Sequence, residues 1–344
     1  MTVDTERLRA ALAPLARVAL GTWPTPLVPL PRLGEALGLD LWMKRDECSG
    51  LAMGGNKARK LEFVLGAAIA EGARTVVTAG PITSNHTMMT AAAARRLGLH
   101  CIVVLGGRAP ATATGNLSLT HLYGADVHIT PMDTADPSTE DLAAAQQLSA
   151  RLVAESGGYW IPPGATMPSS VPGYAAAVLE VLDQLGGAWP FDEVVVAYGT
   201  GSTSAGVYAG LALAGLPATV RAVAVSSRAA MARFESQSPA ALVQAAIDLY
   251  GWPSALAEGP ARCDWVRPPD EPGYGLRTAG SDDALRRVAR EEGYLLDPTY
   301  TAKAAAALFA MASDGRLRPG ARVLFIHTGG LPSTAAASHQ ETTS

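Results

Sequence analysis

The chain has 344 residues, 48% of them hydrophobic and 17% charged, and its 27 basic and 31 acidic side chains give a formal charge of −4. The two signs are well mixed, which argues against a nucleic-acid partner and against an acidic interaction tail, and the length favours two domains over one core. Cys48, Cys101 and Cys263 are too few and too scattered for a disulfide framework or a metal site, so no metal is expected and a reducing cytoplasm is the expected compartment.

The first segment, Met1 to Leu20, carries Asp4, Glu6, Arg7 and Arg9 among short apolar runs and is expected to be neither a signal peptide nor a membrane span. From there, apolar β-rich runs alternate with helical patterns. Helices are predicted around Lys60–Glu71, Ser84–Leu97, Thr139–Glu155, Tyr174–Leu185, Ser202–Leu213 and Asp282–Glu292. Strands are predicted at Thr75–Ala79, Cys101–Leu105, Val127–Ile129, Val194–Ala197, Val220–Val225 and Val323–Ile326, each nearly continuous in apolar residues, as in parallel sheets buried on both faces. The alternation predicts an α/β fold: two domains, each an open, twisted, mostly parallel sheet flanked by helices. The pattern relaxes at Trp160-Ile161-Pro162-Pro163-Gly164, which reads as a domain crossing, and the expected division is a small domain over 51–162 and a large one over 1–50 plus 163–344. Arg267–Gly275 reads as a long ordered loop, and the tail after Pro332 as polar and frayed.

Three constellations stand where such a fold places its sites. Gly54-Gly55-Asn56-Lys57 sets a lysine on a glycine corner at the mouth of a helix, and lysine is the residue that forms Schiff bases with carbonyl compounds. Alone, it reads more readily as a surface lysine after a turn. Ser84-Asn85-His86-Thr87 follows a strand and a Gly80-Pro81 turn; Ser84 is a good N-cap, and the free N–H groups of the helix start suit a carboxylate. An ordinary capped helix has the same sequence. Gly199-Thr200-Gly201-Ser202-Thr203-Ser204-Ala205-Gly206 opens an apolar helix directly after a strand, the arrangement that cradles a phosphate. It lacks a Walker lysine and departs from the dinucleotide pattern, so it does not say which phosphate compound is held.

An aldehyde acceptor, a ring contact and a phosphate nest correspond to the three parts of pyridoxal 5′-phosphate. The chain resembles the D-cysteine desulfhydrase and 1-aminocyclopropane-1-carboxylate (ACC) deaminase family of the tryptophan-synthase-β-like pyridoxal-phosphate enzymes (fold type II). The resemblance runs from about Pro24 to Pro332. It rests on Lys44-Arg45-Asp46-Glu47, the Gly54–Lys57 corner with Arg59-Lys60-Leu61-Glu62, Ser84-Asn85-His86, the Thr200–Thr203 loop, Gly273-Tyr274-Gly275, Leu296-Asp297-Pro298-Thr299-Tyr300 and His327-Thr328-Gly329-Gly330.

The resemblance implies that Lys57 carries the cofactor and moves the Cα proton, and that Asn85 meets the ring hydroxyl. Lys60, Gly199 and the backbone of Thr200, Gly201, Ser202 and Thr203 would hold the phosphate. Ser84 with the amides of Asn85 and His86 would hold the substrate carboxylate, and Tyr274 and Tyr300 would lie beside substrate and cofactor. In that family pattern ACC deaminases place an acid where this chain has Thr301 and a leucine where it has Thr328, whereas D-cysteine desulfhydrases have small hydroxyl residues at both. A neutral hydroxyl supports a weaker electron sink than a carboxylate, enough for a thiolate leaving group but poor for opening a cyclopropane. The implied activity is elimination from a small β-substituted amino acid, D-cysteine foremost, in a cytoplasmic homodimer. L-cysteate sulfo-lyase activity is the second reading, because Arg277 near the Tyr274 loop would suit an anionic substrate. ACC deamination and a catalytically idle cofactor- or amino-acid-binding protein rank behind. The chain departs from the pattern at Thr87-Met88-Met89, where relatives carry basic or amide residues; at Arg277-Thr278-Ala279, where they carry a proline and acids; and at Cys48, where they carry a threonine.

Overall fold

The structure, a computed structural model, describes residues 3–227, 238–254, 256, 259–270 and 273–330. The tail expected to fray after Pro332 lies outside these residues, as do positions 271 and 272 of the expected 267–275 loop.

Two sheets organise the chain. The six-stranded sheet contains β1 (Leu27–Pro29), β2 (Asp40–Arg45), β7 (Glu193–Tyr198), β8 (Thr219–Ala224), β9 (Arg262–Val266) and β10 (Arg322–His327), in the order β1-β2-β10-β7-β8-β9. Only β1 runs antiparallel to its neighbour. The four-stranded sheet, all parallel, contains β3 (Thr75–Pro81), β4 (His100–Gly106), β5 (Asp126–Thr130) and β6 (Tyr159–Ile161), in the order β5-β4-β3-β6. The α/β, mostly parallel architecture read from the apolar runs is the one observed. All six predicted strands are present, each extended by a residue or two at an end or shifted by one.

Helices cover both faces of each sheet, which is why the strands are apolar throughout. In the large sheet, Val194 and Val196 point to a core with α7 (Val171–Gln184) and α8 (Ser202–Leu213). The intervening Val195 and Ala197 point to the opposite core, with α10 (Ala279–Glu292) and α11 (Thr301–Ser313). In the small sheet, Val76 and Val103 face α3 (Lys57–Ala70) and α4 (Asn85–Arg96), while Val77, Ile102 and Val104 face α6 (Thr139–Ser156). The remaining α-helices among the described residues are α1 (Thr5–Leu12), α2 (Pro31–Leu37), α5 (Gly115–Leu122) and α9 (Pro239–Tyr250).

Helix α3 joins the two halves through a buried ionic network. The Arg59 guanidinium donates to both Asp46 oxygens, at 2.9 and 2.7 Å, and to both Glu180 oxygens at 3.0 Å, while lying 4.1 Å over the Trp23 ring. Lys44 donates to the Thr25 carbonyl at 2.6 Å and pairs with Glu180. Burial pushes the Asp46 carboxyl upward, but Arg59, Tyr174 and Lys44 together hold it below the usual carboxylate range. Glu62, one turn along, accepts from Leu20 N, Gly21 N and Trp23 Nε1 at 2.8–2.9 Å. Most of the charged residues in the Lys44–Glu47 and Arg59–Glu62 motifs are therefore structural; within 59–62, only Lys60 reaches the candidate site.

Candidate active site

The candidate residues gather beyond the carboxyl ends of β3, β7 and β10, where open parallel sheets place ligands. Lys57 is the first residue of α3. The corner before it needs glycine: Gly54 has φ +75°, and a Cβ there would come within 1.7 Å of the Glu47 carbonyl oxygen. An antiparallel bridge pairs Gly55 with Gly329, and Asn56 N donates to the Thr328 carbonyl at 2.9 Å. The corner is thus stitched by backbone to the end of β10. The Lys57 amine donates to Asn56 Oδ1 at 2.9 Å, and Asn56 Nδ2 donates to Thr203 Oγ1 at 3.0 Å. Burial pulls the Lys57 ammonium from 10.5 down to about 8, with the Asp297 carboxylate opposing.

The phosphate candidates adjoin it. Gly201 precedes α8 with φ +97°, the left-handed region that favours glycine. Lys60, 2% exposed, donates to Ser202 Oγ at 2.8 Å. Thr166 donates its hydroxyl to Thr200, and the Tyr300 ring lies beside Gly199. Burial, and then the neighbouring Lys57, hold the Lys60 ammonium well below its usual value. The buried Lys60 amine at the glycine-turned N-terminus of α8 makes a donor set that a phosphate dianion complements, with the Lys57 amine beside it for the aldehyde, so the residues present fit pyridoxal phosphate.

Ser84 caps α4 as expected, accepting from His86 N at 3.1 Å and Thr87 N at 3.4 Å. Asn85 Oδ1 accepts from Asn116 Nδ2 at 2.7 Å. The His86 ring is buried behind the cap. Thr78 Oγ1 already donates to the Ile161 carbonyl, so it accepts at 2.7 Å from His86 Nε2, which therefore carries the proton. Burial, Lys57 and Lys60 all disfavour imidazolium, leaving this ring neutral and unsuited to acid–base exchange.

Tyr274 and Tyr300 share a hydrogen bond of 2.7 Å between their phenol oxygens. Burial raises both phenols, Tyr300 the further. Thr301 is fully buried and turned toward Asp297: its Oγ1 donates to Asp297 Oδ1 at 2.7 Å and accepts from Asp297 N at 2.7 Å. Thr328 is buried beside Gly55, its carbonyl being the acceptor for Asn56.

Two of the departures from the family pattern can be placed. Arg277 is paired with Asp282 at 2.7 Å near the start of α10, so it is not an unopposed cation awaiting an anionic substrate. Met88 and Met89 are both 1% exposed within the small-sheet core, and Met89 packs beneath the lysine corner. Three residues assigned no role from sequence belong to the site. Asp297 is the carboxylate that faces Lys57. Lys303, 1% exposed, donates to the carbonyls of Val225 at 3.0 Å and Gly273 at 2.8 Å, tying the Tyr274 loop to the large sheet. Asn116 holds Asn85.

A model of the family described as "pyridoxal-phosphate dependent enzyme" matches residues 18–329. The D-cysteine desulfhydrases of Salmonella schwarzengrund and Salmonella typhi are each 36% identical over 321 residues, covering 91% of this chain and 93% of theirs. Among solved structures, an ACC deaminase homologue superposes with a TM-score of 0.82 at 34% identity, over 98% of both chains.

Proposed function

From the premise that the chain belongs to the pyridoxal-phosphate dependent enzyme family, we propose that it catalyses α,β-elimination from a β-substituted alanine, D-cysteine foremost, consuming water and releasing pyruvate, ammonia and hydrogen sulfide. The observation that carries this is the Lys57 amine, held by Asn56 Oδ1 at 2.9 Å on a glycine corner stitched to the end of β10, where burial lowers its ammonium to about 8 against the opposing charge of Asp297. A lysine so tuned is a competent nucleophile toward an aldehyde and a base near neutral pH.

When bound, pyridoxal phosphate supplies the electron sink for the pair left at Cα. Lys60, Gly199, Thr200, Gly201, Ser202 and Thr203 would hold its phosphate, with Asn85, Thr301 and Thr328 set around its ring. Lys57 removes the proton from Cα. Ser84 and the backbone N–H groups of Asn85 and His86 would hold the substrate carboxylate at the start of α4, and the Tyr274–Tyr300 pair, kept protonated by burial, would donate a hydrogen bond to the sulfur as it departs as hydrosulfide. Threonine rather than an acid at position 301 supports thiol elimination over ring opening; its hydroxyl is committed to Asp297. The Arg277–Asp282 pair weakens the case for L-cysteate.

We also propose the division into a small domain over 51–162 and a large one over 1–50 plus 163–344, a homodimeric assembly and a cytoplasmic location. Among the described residues no helix is long and apolar enough to cross a membrane. The deciding assay measures sulfide and pyruvate from D-cysteine, bisulfite from L-cysteate and 2-oxobutanoate from ACC. D-cysteine is expected to dominate, with Lys57→Ala at least about a thousandfold slower. Turnover of D-cysteine no greater than that of the Lys57→Ala protein would sink the proposal.

A further inference from the structure

Asn116 lies on α5, outside every motif of the site, yet it is 5% exposed and in contact with the Ser84–Asn85 turn. Its Nδ2 donates to the Thr83 carbonyl at 2.7 Å and to Asn85 Oδ1 at 2.7 Å, while its own Oδ1 is buried without a partner. These three facts fix two amide orientations in sequence. A backbone carbonyl only accepts, so the group that Asn116 turns toward Thr83 must be its NH2. The second hydrogen of that NH2 then requires an acceptor from Asn85, which must offer Oδ1. Reversing Asn116 would set two oxygens against each other at hydrogen-bond distance. The unpartnered Oδ1 is a cost normally avoided, and here it accompanies the commitment of both hydrogens.

We propose that Asn116 is a positioning residue that makes Asn85 an obligate donor: with Oδ1 held, only the Asn85 NH2 remains to face the cofactor ring. This rests on the pyridoxal-phosphate reading above. A donor at the phenolic oxygen of the ring favours its ionised form, whereas a carbonyl there would favour the protonated one.

Asn116→Asp and Asn116→Leu separate this role from simple packing. The aspartate is nearly isosteric but only accepts, so it draws the Asn85 NH2 to itself and turns the Asn85 carbonyl toward the ring. The leucine leaves Asn85 unheld. The absorption spectrum of each holoenzyme and the cofactor dissociation constant by equilibrium dialysis are the readouts. The yellow band of the ionised ring is expected to give way to near-ultraviolet absorption, more in Asn116→Asp than in Asn116→Leu. Cofactor affinity is expected to fall about ten- to a hundredfold in the aspartate variant. An unchanged band and affinity in the variants that fold would overturn the proposal; if the aspartate variant does not fold, the leucine variant decides by the same two readouts. A wild-type protein that takes up no cofactor would instead overturn the functional reading on which the proposal rests.

Discussion

At the residue scale, the chemistry of Lys57 is set by what surrounds its amine. Burial lowers the ammonium to about 8 and Asp297 limits the fall. In the apoprotein, the neutral amine that captures an aldehyde therefore accumulates as pH rises past about 8, well below the 10.5 of a free lysine. The rate of cofactor capture by apoenzyme, followed by absorbance, is expected to rise between pH 7 and 9 with a midpoint near 8. A midpoint near 10 would show that the amine is solvated. Lys57, Ser84 and the 199–203 loop were legible in sequence because each lies within a few residues of a glycine turn or a helix start. Asn116 was not, since its partner Asn85 is 31 positions away and nothing local marks the pairing. Asp297 and Lys303 escaped assignment for the same reason. Their roles arise from what the fold brings to them, and the pairing of Arg277 with Asp282, which weakens its claim on an anionic substrate, was invisible for the same reason.

At the element scale, Asp297 builds the start of α11. Tyr300, the N-cap, has no side-chain capping bond of its own. The Asp297 carboxylate accepts from the backbone N–H groups of Thr299 and Tyr300 at 3.0 Å and of Thr301 at 2.8 Å. Asp297→Ala is therefore expected to cost about 2–4 kcal/mol, because three backbone N–H groups and the Thr301 hydroxyl lose their acceptor. It is also expected to lower kcat by displacing Tyr300. Thermal unfolding and steady-state kinetics check the pair, and an unaltered melting temperature would count against the capping role. Helix α11 itself was missed from sequence: Thr301–Ser313 is alanine-rich and mostly buried, so it shows no polar stripe from which to read a period of 3.6. Strand β9 was missed for the opposite reason, since it lies at the sheet edge with Arg262, Asp264 and Trp265 exposed. The predicted strands were legible because covering helices make them apolar on both sides.

At the scale of the whole molecule, the Asp46–Arg59–Glu180–Lys44 network decides how the halves are joined. Arg59→Ala would leave two carboxylates buried with Lys44 as the one remaining basic partner in that network, and is expected to cost about 3–5 kcal/mol. Chemical denaturation measures it. The buried lysines also give the apoprotein a pH signature. Lys57 and Lys303 are each lowered to about 8, so above that pH the unfolded chain holds more protons than the folded one, and stability rises with pH. The gain should be clearest between about pH 8 and 9, before the buried thiols of Cys101 and Cys263, raised to about 12, begin to oppose it. Denaturation midpoints of apoprotein that fall across this window would contradict the assignment.

The backbone stitch between Gly55 and Gly329 has a mechanical consequence. It fastens the root of Lys57 to the six-stranded sheet, from which the 199–203 loop also springs, whereas Ser84 and Asn85 ride on the four-stranded sheet. A rocking of one sheet against the other would thus leave amine and phosphate cradle in a common frame while the carboxylate clamp swings toward or away from them. Grip on the substrate, and with it the contact of Asn85 to the ring, would then change while the amine and the phosphate cradle keep their common frame.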